Sequence, residues 1–126
     1  MRVFKNKWFN NWAVKEGISE NALLDAAEEI VAGKVEANLG SYLFKKRLAR
    51  QGGGKRGGYR TIVGFRRPNS ERIIFLYAFA KKDRSTISMK EEAALSLAAG
   101  ALLFASDEQV QSLISAGAIC EVLRNE

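Results

Sequence analysis

The residues of this chain best suited to chemistry are cations. Between Leu43 and Arg60 the sequence carries Lys45, Lys46, Arg47, Arg50, Lys55, Arg56 and Arg60, and a second group, Lys81, Lys82 and Arg84, follows a strongly apolar run. The first group brackets the glycine-rich stretch Gly52-Gly53-Gly54-Lys55-Arg56-Gly57-Gly58, so two flanking strands can present it to one polyanion. Guanidinium and ammonium groups gathered in this way bind an RNA backbone and can neutralise charge developing on a phosphate. An excess of 20 Lys and Arg over 14 Asp and Glu, a formal charge of +6, points the same way.

Other chemistries fail on composition or context. With no histidine and one cysteine, there is neither a Cys/His zinc set nor an intrachain disulfide. Cys120 sits in the apolar run Ile119-Cys120-Glu121-Val122-Leu123 and reads as a small hydrophobe rather than a catalytic thiol. Gly52-Gly53-Gly54-Lys55-Arg56-Gly57 has the spacing of a dinucleotide fingerprint, but a strand follows it where a helix N-terminus is needed for the pyrophosphate. A P-loop fails because Arg56 stands where Ser or Thr must hold magnesium. Most acids lie on helices and form no paired-carboxylate motif, so neither a metal nor another cofactor is expected. The N-terminus lacks a signal-peptide core and no run is long enough to span a bilayer, so a cytoplasmic protein without membrane contact is expected.

The elements that must position the cations follow from periodicity. Trp8, Phe9, Trp12 and Ala13 recur at helical spacing as a core-packing stripe. Ser19 caps a helix over 20–32, with Ile18 and Leu23 as its hydrophobic staple and Gly33 as its stop. Residues 43–49 and 59–66 read as strands. In the latter Tyr59, Thr61, Val63 and Phe65 share one face, and Arg60, Ile62, Gly64 and Arg66 share the other. The continuous apolar run 72–79 suits a central strand. Ser88-Met89-Lys90-Glu91 has capping-box spacing before a helix to about 104, and Ser106 opens another before a short strand at 119–123. The expected fold is a single α+β domain over 1–126, with a small antiparallel sheet and its N-terminal helices packed on one face. Extra C-terminal helices follow, 106–126 being a C-terminal extension, and the other sheet face stays free for ligand.

Two segments, Gly57-Gly58-Tyr59-Arg60-Thr61-Ile62-Val63-Gly64-Phe65-Arg66 and Phe75-Leu76-Tyr77-Ala78-Phe79-Ala80-Lys81-Lys82-Asp83-Arg84, resemble the RelE/ParE superfamily of bacterial type II toxins, in particular its RelE-type, HigB-like branch. The resemblance runs from Lys7-Trp8-Phe9 through the glycine loop to Lys81-Lys82-Asp83-Arg84 and implies a RelE-like fold. It implies a ribosome-dependent mRNA endonuclease that cuts the A-site codon without metal, by attack of a ribose 2′-hydroxyl on the adjacent phosphate. A cognate antitoxin, of helix-turn-helix type, would capture it.

Carried over by motif, the resemblance implies catalytic roles for Arg60 of the Gly-Tyr-Arg segment, for Lys45 and Arg47 on the preceding strand, and for Lys82 and Arg84 after the central strand. Lys46, Arg50, Lys55, Arg56, Arg66 and Lys81 are expected to hold RNA. Ser88 stands where some members carry a catalytic tyrosine, and no histidine replaces it. Lys45 is therefore the expected general base, its neighbours Lys46 and Arg47 favouring its neutral form. Tyr59 is a weaker candidate because alternation points it away from Arg60. Two alternatives remain open at this point: a ParE-like inhibitor of DNA gyrase on the same scaffold, and a non-catalytic RNA-binding module.

Overall fold

A computed structural model of the chain describes residues 1–50, 58–66 and 72–124. In chain order the elements are β1 (Arg2–Asn6), α1 (Lys7–Glu16), α2 (Glu20–Val31), β2 (Ala37–Gly40), β3 (Leu43–Leu48), β4 (Tyr59–Phe65), β5 (Arg72–Ala80), α3 (Met89–Leu103), α4 (Asp107–Ser115) and β6 (Ile119–Glu121). The strands form one sheet in the order β2-β3-β4-β5-β1-β6. It is mixed: β1 pairs with β5 in parallel, while the other ladders are antiparallel.

The caps read from the sequence are in place. Ser19 accepts from the Ala22 amide, and Ser88 and Ser106 each form a reciprocal capping box, with Glu91 and Gln109. Asn6, which closes β1, also caps α1 by accepting from the Phe9 amide at 2.7 Å. No helix among the described residues is long and apolar enough to cross a membrane.

The core lies in two layers, one on each side of the sheet. Phe9 and Ala13 of α1 and Leu23, Ala26, Ala27 and Ile30 of α2 pack on Val3, Val63, Phe65, Ile73 and Phe75. On the opposite side Ala99, Leu102 and Leu103 of α3, with Val110 of α4, cover Phe4, Leu43, Ile62, Ile74 and Leu76. Burying each large apolar side chain contributes about 1.5–3 kcal/mol, so both layers are substantial parts of the fold.

The second layer corrects the expectation of a wholly free sheet face. α3 lies so close to β4 that a Cβ at Gly64 would sit 2.9 Å from that of Ala99 and 3.0 Å from Ile74 Cγ2. What the sequence left undecided about 106–126 also has a structural answer for its described part. β6 extends the sheet beside β1, the Val122 amide donates to Val3 O at 2.7 Å, and Arg2 holds Glu121 at 2.8 Å.

Candidate functional site

Strand register builds the site row by row. In β3, β4 and β5, Leu43, Gly64 and Ile74 lie side by side beneath α3. One row further along are Lys45, Ile62 and Tyr77, and beyond them Arg47, Arg60 and Phe79. Directly opposed residues of antiparallel strands share a face, so these last two rows continue the α3 side of the sheet past the helix.

The alternation on β5 changes phase to achieve this. Val63 pairs with Phe75, but Ile62 pairs with Tyr77, leaving Leu76 as an extra residue. A bulge of this kind re-aims every side chain beyond it. Ile73 and Phe75 thus face α1 and α2, whereas Tyr77 and Phe79 join Arg60. Asn6 holds the bulge, its side-chain amide donating to Leu76 O at 3.0 Å.

Glu36 enters this cluster from the bend just before β2. Its carboxylate accepts from Arg47 Nε at 3.2 Å, lies 3.8 Å from Lys45 Nζ and pairs with Arg60 Nε. Arg60 is only 1% exposed, so its charge is stabilised chiefly by this contact, while the Arg47 side chain is 48% exposed. Three cations around one carboxylate leave two positive charges to attract an anion. Glu36 is not among the residues that the sequence marks for chemistry. Its signal was an acid opening an extended segment that could pair with the Lys45–Arg47 strand.

The other expected site residues divide by position. Lys46 points to the opposite face, almost fully buried, with Nζ 2.9 Å from Glu29 and donating to Lys34 O at 2.8 Å. It anchors the end of α2 and does not join the cations around Glu36, a correction that follows from simple alternation on β3. Lys45 consequently has a carboxylate and the Ser85 carbonyl, 3.3 Å away, as neighbours where the sequence reading placed a second lysine.

Arg84 forms a two-point pair with Glu91 of α3 at 2.5 and 3.1 Å, and its guanidinium lies 5.5 Å from the Phe79 ring centre. Those hydrogen bonds from Arg84, with one from the Ser88 amide, hold the Glu91 carboxyl down from 4.5 to about 2. Arg84 thus ties α3 to the end of β5. Lys81 and Lys82 are exposed in the following turn, where the Lys81 amide donates to Gly58 O at 3.2 Å, close to the start of β4. Arg50 is exposed just past β3, at the same end of the sheet.

Arg66 is separated from this group. It follows the far end of β4 and packs 4.6 Å from the Phe104 ring centre, roughly 20 Å along the strand from Arg60. Lys55 and Arg56 lie outside the described residues. Tyr59 faces α1 as alternation requires, donating to Glu16 at 2.6 Å, and that hydrogen bond together with burial pushes its hydroxyl pKa up.

No curated protein and no solved structure matches this chain. A family model described as the RelE toxin of the RelE/RelB toxin-antitoxin system matches residues 1–122. That match runs from before β1 past β6 and includes every cation of the site. The chain belongs to the RelE toxin family of toxin-antitoxin systems.

Proposed function

We propose that the protein is a ribosome-dependent mRNA endonuclease that cuts the A-site codon by attack of a ribose 2′-hydroxyl on the adjacent phosphate. The observation that carries this reading is the convergence of Lys45, Arg47 and Arg60 on Glu36 at the open end of the sheet. Arg47, exposed at the rim, holds the scissile phosphate, while Arg60, buried behind Glu36, adds its charge to the field that stabilises the phosphate oxygens. Glu36, in place of the Lys45 that the sequence led one to expect, takes the proton of the 2′-hydroxyl as the new oxygen–phosphorus bond forms, because a carboxylate lies beside that lysine. Lys45 gives a proton to the departing 5′-oxygen, leaving a 2′,3′-cyclic phosphate and a 5′-hydroxyl. With 3.8 Å between Glu36 and Lys45, the captured proton returns to the lysine amine and resets the site. The cations provide the charge stabilisation for this route without a metal. Arg50, Lys81 and Lys82 guide the mRNA backbone toward the cluster, while Arg84 positions Phe79 and α3 beside it.

Membership of the family pairs the chain with a RelB-type antitoxin. We take that antitoxin to be a small helix-turn-helix protein encoded next to it, which neutralises the toxin and binds operator DNA. Induced expression tests the whole reading. Growth arrest with mRNA ends mapping inside ribosome-bound codons is the expected outcome. Arrest with intact mRNA and damaged DNA would replace it with gyrase inhibition, as in the ParE-like branch.

A further inference from the structure

We propose that Trp8 and Tyr77 form a platform for a nucleobase of the bound RNA, near the phosphate seat at Arg47. The inference rests on the RNA-cleavage reading and extends it from the phosphate to the base. A helical aromatic stripe ordinarily packs in a core. Phe9, fully buried, and Trp12, against Tyr59 at 5.0 Å, fit that role. Trp8 continues the stripe outward: its ring runs nearly parallel to that of Trp12 at 6.5 Å and lies 4.6 Å from that of Tyr77 at an interplanar angle of 35°, yet it is 44% exposed.

Tyr77 belongs to the same row as Lys45 and is adjacent to the row of Arg47, Arg60 and Phe79. Two strand spacings, roughly 10 Å, separate it from Lys45, a gap that one nucleotide can bridge. Tyr77, half-buried, and Phe79, buried beneath it, lie 6.3 Å apart, and Arg84 sits on Phe79, so the ring contacts run from Trp8 to a cation. That combination is how single-stranded RNA is held: cations take the backbone and exposed rings take the bases.

Asn6 joins the two halves of the platform. Its amide fixes the Leu76 bulge that turns Tyr77 to this face, and its oxygen caps the first turn of α1, which carries Trp8. Asn6 is thus a positioning residue for both rings.

The test uses ribosomes programmed with an mRNA whose A-site codon is 2′-O-methylated, to block cleavage, and contains 2-aminopurine. Wild-type protein is expected to bind and quench the 2-aminopurine by stacking. Trp8→Ala should lose the quenching and bind about tenfold or more weakly. Trp8→Phe should retain most of both, and unchanged melting temperatures would establish intact folds. Full quenching and affinity in Trp8→Ala, with binding still weakened by Arg47→Ala, would overturn the platform and leave the cleavage reading standing. Failure of wild-type protein to bind the programmed ribosome would overturn both. If Trp8→Ala weakened only antitoxin capture, the exposed ring would be a protein contact and the base platform would be wrong.

Discussion

Arg60 and Phe79 stand directly opposite each other on β4 and β5, and they share a face because Leu76 is left unpaired between them and the start of β5. Without that extra residue, the alternation begun by Ile73 and Phe75 would carry Phe79 to the side covered by α1 and α2. One local irregularity therefore decides which side chains surround the buried arginine.

Asn6 should be a stability hot spot despite its small size. Asn6→Ala removes both the α1 cap and the hydrogen bond to Leu76 O, and should cost about 2 kcal/mol in urea denaturation. Asn6→Asp retains an oxygen for the cap but has no amide to donate, so it should lose roughly half as much.

The adjacent lysines should behave in opposite ways. Lys46→Met conserves volume but loses the contacts to Glu29 and Lys34 O, which should cost about 1–3 kcal/mol while leaving cleavage by the folded fraction unchanged. Lys45→Met should leave stability nearly unaltered and lower the single-turnover cleavage rate by about 100-fold or more. Equal loss of cleavage in both variants would contradict the division of β3 into a structural and a chemical face.

Gly64 is required for the approach of α3. Gly64→Val forces atoms into the Ala99 and Ile74 contacts and should destabilise the protein by about 1–3 kcal/mol. Gly64→Val combined with Ala99→Gly should recover part of that loss, measurable as an upward shift in the denaturation midpoint.

The Arg84–Glu91 pair gives a defined acid limb. Because Glu91 is held down at about 2 in the folded protein against 4.5 normally, its contribution is fully present above pH 4.5 and is lost as pH falls toward 2. Melting temperatures of Glu91→Gln should therefore converge on those of the wild type across that window and differ most above it. A constant offset from pH 6 to pH 2 would contradict the assignment.

The sequence disclosed features governed by local rules. Ser19, Ser88 and Ser106 announced their helices through cap chemistry, and the period-two pattern of 59–66 placed Tyr59 opposite Arg60. The site was only partly legible because its geometry depends on non-local relationships. Lys46 looked like part of one basic run until strand alternation separated it from Lys45. The role of Glu36 emerges only when β2 is laid beside β3, and Leu76 can be recognised as a bulge only from its partners on β4. α3 was foreseen as a helix, but its place over the second sheet face was not, since the signal is the fit of Gly64 to Ala99, residues far apart in the sequence.

In the proposed mechanism the Glu36 cluster cuts RNA. The most direct test is single-turnover cleavage of 5′-labelled mRNA on ribosomes with a vacant A site, comparing wild-type protein with Glu36→Gln. The wild type should yield a fragment ending in a 2′,3′-cyclic phosphate within the A-site codon. Glu36→Gln should be slower by about 100-fold or more, with ribosome binding preserved. Intact mRNA with the wild-type protein, or cleavage at full rate by a folded Glu36→Gln variant, would contradict the account.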